Sequence, residues 1–219
     1  MYENQPWLKH FGDTPVSLNY PDISIYATVK KSCEEFPNDT ALVFFGKKIT
    51  RMSFLNRVDQ MSRRFAKIGI AKGDMVIICL PNMPQAIISF YALNRLGAIP
   101  APIHPLSAPP EIEAYAKIVS AKTAITLDGF FPRFADIIES AGFKKVIVCS
   151  LKPEMDAITK IGFSLGQGRK IKPVPYSEKI LDWVKLETKE NYQGIGNITE
   201  IDSPDPIKAD ELALILFSG

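Results

Sequence analysis

Two histidines and three cysteines are too few, and too scattered, for a metal site or a disulfide framework. Cys33, Cys79 and Cys149 are far apart. The latter two sit in the apolar runs Val76–Leu80 and Val146–Cys149, where a thiol reads as a buried strand residue. Such thiols fit a reducing, cytoplasmic location. No run of about 18 or more apolar residues occurs, so no transmembrane helix is expected. The opening residues, Met1 to Lys9, have no basic stretch leading into an apolar one and do not read as a secretory signal. Charge of one sign is also lacking. Twenty-six Lys plus Arg against 24 Asp plus Glu leave +2, which gives no support to nucleic-acid binding. The basic cluster Arg169-Lys170-Ile171-Lys172 reads as a surface loop.

What is present is an ordinary globular composition in 219 residues, enough chain for a substantial core. Residues 1–24 read as an irregular N-terminal segment. Periodicity predicts a helix over 25–36, a hairpin built from 41–45 and 48–50, and a helix over 53–68 capped by Thr50 or Ser53. Gly69 supplies its left-handed exit. The order then alternates: strand 75–80, helix 85–96, strand 99–103, helix 111–120, strand 123–127, helix 131–140, strand 145–149. Such alternation implies an α/β layer, with a mostly parallel sheet and flanking helices. Beyond Leu151 the pattern weakens. A short helix is expected over 154–161, a mobile loop around Gly162, Gly166 and Gly168, and a helix over 176–186 capped by Ser177. The α/β subdomain thus runs over 25–187 and a polar linker over 188–210. A last apolar strand, Leu212–Phe217, ends in Ser218-Gly219, and the chain reads as cut short there.

Residue chemistry alone assembles no catalytic constellation. Glu111 and Glu113 are two apart and point away from each other on a helix. His104 follows a strand, where α/β proteins place ligand-binding groups; a loop histidine without chemistry is the other reading. No strand feeds a dinucleotide glycine fingerprint, which disfavours a nicotinamide enzyme. Ser218-Gly219 after a strand fits the opening of an anion-binding loop, whose close approach to phosphate needs exposed amides and little side-chain bulk.

Several stretches in order carry a resemblance. They are Ile49-Thr50-Arg51-Met52-Ser53-Phe54-Leu55-Asn56-Arg57-Val58, Gly69-Ile70-Ala71-Lys72-Gly73-Asp74-Met75-Val76, Leu80-Pro81-Asn82-Met83-Pro84-Gln85, Gly97-Ala98-Ile99-Pro100 and Asp210 to Gly219. The chain resembles the adenylate-forming, AMP-binding enzymes over residues 25–219, and most of all the N-terminal part of the acyl-CoA synthetases, including long-chain fatty acid–CoA ligases. His104-Pro105-Leu106 departs from relatives that carry Asn or Asp before the proline. The resemblance implies a carboxylic acid, ATP, Mg²⁺ and CoA as reactants, with an acyl-adenylate formed first and a thioester second. It implies that Ser218 and Gly219 open the phosphate loop, and that Asn82, Arg95 and Pro100 serve the scaffold. The catalytic groups and a C-terminal portion would then lie downstream of Gly219, leaving residues 1–219 inactive alone. A homodimer and peripheral membrane contact are left open. The rival reading is a non-catalytic α/β module that binds a nucleotide or a partner.

Overall fold

The computed structural model describes residues 6–188 and 207–217. Its centre is a five-stranded sheet, every neighbouring pair parallel: β3 (Met75–Cys79), β4 (Ile99–Pro102), β5 (Thr123–Leu127), β6 (Lys145–Cys149) and β7 (Ile180–Asp182), in the order β4-β3-β5-β6-β7. The first four are near-continuous apolar runs, as strands covered on both faces require. A separate antiparallel hairpin joins β1 (Thr40–Phe44) to β2 (Lys47–Thr50).

Alternate strand residues feed two cores. Val76, Ile78, Ile125 and Ile147 point to one, which packs under α1 (Ile25–Glu35), α2 (Arg51–Lys67), α3 (Pro84–Leu96) and α7 (Trp183–Thr188). Ile77, Ala124, Val146 and Val148 point to the other, beneath α4 (Pro109–Ile118) and α5 (Phe131–Ala135). Local chemistry sets the ends. Thr50 caps α2 by accepting from the Ser53 amide at 3.2 Å, and Gly97 ends α3 in the left-handed conformation (φ 71°) that a side chain would strain.

Ion pairs bolt the first core together. The Arg57 guanidinium on α2 grips Glu154 at 2.5 Å and Glu187 at 2.6 Å, and the Trp183 indole N–H donates to Glu187 at 3.0 Å. Burial works against the arginine's charge, but the two carboxylates outweigh it and move its pKa up. Arg95 on α3 pairs with Asp59 at 3.3 Å and lies over the Tyr26 ring, a placement that fits a scaffold residue. Burial and the hydrogen bond to Asp59 push the Tyr26 hydroxyl up to about 12.

Four expectations change. Residues 176–186 are not one helix: Ile180–Asp182 adds a fifth strand beside β6, and Asp182 rather than Ser177 caps the helix that follows, accepting from the Val184 amide at 2.8 Å. Ser177 instead pins the turn before β7, accepting from the Lys179 and Ile180 amides. The helix expected over 131–140 is α-helical only over Phe131–Ala135 and continues as turns. In the region expected as a short helix and then a mobile loop, a 3₁₀ turn at Lys152–Glu154 precedes α6 (Ala157–Leu165), and a second 3₁₀ turn follows at Gln167–Lys170.

The fourth is Leu212–Phe217, which lies beside β4 without forming a ladder. One backbone bond joins them, Ile215 N–H to Pro100 C=O at 3.1 Å. The cause is in β4 itself. The Ile99 and Ile103 amides donate to the Asp74 and Ile78 carbonyls on the β3 side, so positions 100 and 102 face the open edge, and both are proline. That edge offers carbonyls but no N–H donors, so pairing with it is one-sided.

Candidate functional site

The strand order reverses around β3. The connection leaving β3 runs to α3 on one face, while those leaving β4 and β5 run to α4 and α5 on the other. Adjacent loops that diverge in this way open a crevice at the C-terminal ends of β3 and β5, the position where open α/β sheets bind ligands. The loops that leave the sheet at this end are 80–83 after β3, 103–108 after β4 and 128–130 after β5.

His104 stands in the β4 loop with an exposed side chain. Its ring is oriented locally, with Nδ1 accepting from the Leu106 amide at 3.2 Å, and its carbonyl accepts from the Ser107 amide and from the Cys79 thiol. Cys79 is not a nucleophile candidate, because burial pushes its thiol up to about 12. Arg133 ties the β4 and β5 loops together, donating to the Pro105 carbonyl at 3.3 Å with its guanidinium over the Phe130 ring.

The two glutamates of α4 do part company, as their spacing requires. Glu113 pairs with Lys117 and accepts from Ser140, whereas Glu111 accepts from the Tyr115 hydroxyl at 2.9 Å. The nearby Ser107 hydroxyl and Tyr115 hold the Glu111 carboxyl below the usual carboxylate range. Tyr115 was not singled out from the sequence, yet its ring packs on Phe217 with centroids 4.2 Å apart. Its spacing four residues after Glu111 was the available signal. Ser218 and Gly219 lie outside the described residues. What the structure places is the residue before them, Phe217, whose ring packs on Tyr115 of α4.

Among the described residues no group of three or more His, Cys, Asp or Glu side chains could hold a metal ion, so none is assigned to Mg²⁺. No described helix is long and apolar enough to cross a membrane. A cleft of about 250 Å³ lined by Gly69, Ser120, Lys122 and Lys144 opens at the opposite, N-terminal end of the strands and takes no part in this site.

Comparison with known proteins adds an independent result. Residues 29–219 match the family described as AMP-binding enzyme. The long-chain-fatty-acid–CoA ligase of Bacillus subtilis is 29% identical over 172 residues, covering 78% of this chain and 31% of the relative. The ligase of the same name from Haemophilus influenzae is 23% identical over 223 residues, covering 92% and 37%. Among solved structures, a long-chain-fatty-acid-CoA ligase from Archaeoglobus fulgidus superposes with a TM-score of 0.66 at 20% identity, covering 93% of this chain and 36% of that one. The chain spans about a third of the length of the relatives it matches.

Proposed function

The chain belongs to the AMP-binding enzyme family, and from that membership we propose that it is the N-terminal portion of an ATP-dependent ligase that joins a fatty or aryl carboxylic acid to CoA. In the first step a carboxylate oxygen attacks the α-phosphorus of ATP. The bond to the bridging oxygen breaks, and pyrophosphate leaves with its electron pair. In the second the CoA sulfur attacks the acyl carbon, AMP departs and the thiol proton is released. The first step concentrates negative charge on phosphoryl oxygens and the second on the acyl oxygen and then the departing phosphate, charge that amides and hydroxyls aimed at those oxygens stabilise.

One observation supports this reading: the family match runs through residue 219, and Phe217 packs on Tyr115 of α4, the helix that follows β4. Ser218 and Gly219 would then begin the phosphate loop in the crevice. His104, exposed at the same end, is the residue we place on the substrate side. Mg²⁺ would accompany ATP, and a cytoplasmic location accords with three free, buried cysteines. Residues 1–219 alone would be inactive, since they supply at most the opening of the loop.

ATP–pyrophosphate exchange tests the reading. The full-length protein is expected to exchange label with at least one acid from a panel of fatty and aromatic acids, and residues 1–219 alone are expected to be silent. Exchange with no acid overturns the ligase assignment, and turnover by residues 1–219 overturns the partition of function between this segment and the rest.

A further inference from the structure

Residues 212–217 have two faces. Ile215 and Phe217 pack on the second core, while Leu212 and Leu216, of opposite parity, are 57% and 71% exposed. With that period of two, a slip of one residue would turn Ile215 and Phe217 out to water. A ladder of backbone bonds ordinarily resists such a slip. Here β4 contributes one bond, through its Pro100 carbonyl, so the side chains at the two ends of the segment set its register.

At the upstream end the hold is polar. The Lys72 ammonium donates to the Glu211 carboxylate at 3.0 Å, and the Lys208 amide donates to the same carboxylate at 3.2 Å. The Lys72 stem passes over Gly97, where a Cβ would lie 2.8 Å from the lysine Cγ. This pair is 47% and 31% exposed, and pairs so open to water hold weakly.

At the downstream end the hold is a ring contact whose lower half is itself fixed. Phe217 lies on the Tyr115 ring with centroids 4.2 Å apart and planes 30° from parallel. The Tyr115 hydroxyl donates to Glu111, one turn earlier on α4, at 2.9 Å, which orients the ring. Ile112 and Ala116 of the same helix are fully buried, so the platform is anchored in the core. Ring pairs favour a narrow set of offsets, which makes this contact a locator as well as an attraction.

We propose that Tyr115, oriented by Glu111, is a positioning residue: through Phe217 it sets the register of 212–217, and with it the place of the phosphate loop that the ligase reading begins at Ser218. The proposal rests on that reading. A displaced loop aims its amides away from the phosphates, so the loss of Tyr115 is felt in the use of ATP and not in the use of the acid.

The test is ATP–pyrophosphate exchange by the full-length protein with the acid that serves it best, ATP and acid being varied separately. Y115A is expected to raise the KM for ATP about tenfold and that for the acid less than about twofold, since small misplacements already weaken reacting geometry. Y115F keeps the ring and loses only the bond to Glu111, and should raise the KM for ATP about twofold. F217A removes the same contact from the other side, so it should match Y115A, and Y115A/F217A should be no worse than either alone. K72M, at the exposed end, should stay below about threefold. If Y115A does not fold, F217A and Y115F decide the matter. Four results overturn the proposal: an unchanged KM for ATP in Y115A and F217A, equal increases in both KM values, additive losses in the double variant, or a K72M effect as large as that of Y115A. A wild type that exchanges with no acid overturns the ligase reading itself, and the role given to Tyr115 falls with it.

Discussion

Helices α3 and α6 both stand on the way from one strand of the sheet to another, and both carry isoleucine and leucine at helical spacing. In α3 Ile88 and Leu93 are 0% exposed, under α1 and α2 and over the sheet. In α6 the equivalent apolar face is open to water. Periodicity is therefore a statement about which residues share a face, not about whether that face is covered. The companions differ too. The α2–α3 layer is locked by paired charges, Arg57 with Glu154 and Glu187, and Arg95 with Asp59. The cations around α6 are unpaired among the described residues.

That contrast can be broken first at its bolt. Arg57→Leu leaves Glu154, 1% exposed, as an uncompensated buried carboxylate, and should cost about 3–5 kcal/mol, read from the urea unfolding midpoint. A loss below about 1 kcal/mol would mean that the pair is offset by solvent. The next largest effect comes from Ile88→Ser on α3, which removes a packed side chain and inserts a hydroxyl, for about 2–5 kcal/mol in the same assay. The same substitution on the exposed helix, Ile161→Ser, should fall within about 0.5 kcal/mol of wild type. Equal losses at positions 88 and 161 would erase the distinction between the two helices.

Much of the fold could be read from local pattern. Strands 123–127 and 145–149 appear at their expected bounds because a short apolar run between turn residues has few other destinies. Thr50 and Gly97 mark helix ends through their own hydrogen-bonding and φ preferences. The final strand of the sheet was read as helix because Ile180, Leu181 and Val184 suit either period, and only the edge of β6 settles the choice. At the candidate site the position of His104 just after a strand could be read from the sequence. Tyr115 was missed, since its value lies in a ring contact made a hundred residues along the chain.

By itself the sequence determined the alternation of strands and helices up to 149, the helix ends at Thr50 and Gly97, and the ordered motifs that resemble the AMP-binding enzymes. Those depend on neighbours within a few residues, where sterics and periodicity act. Tertiary structure alone decided that 180–182 joins the sheet, that the prolines of β4 deny 212–217 a ladder, and that α6 turns its apolar face outward. Each of these depends on whether a distant segment supplies hydrogen-bond donors or covers apolar surface, and local pattern holds no record of that supply.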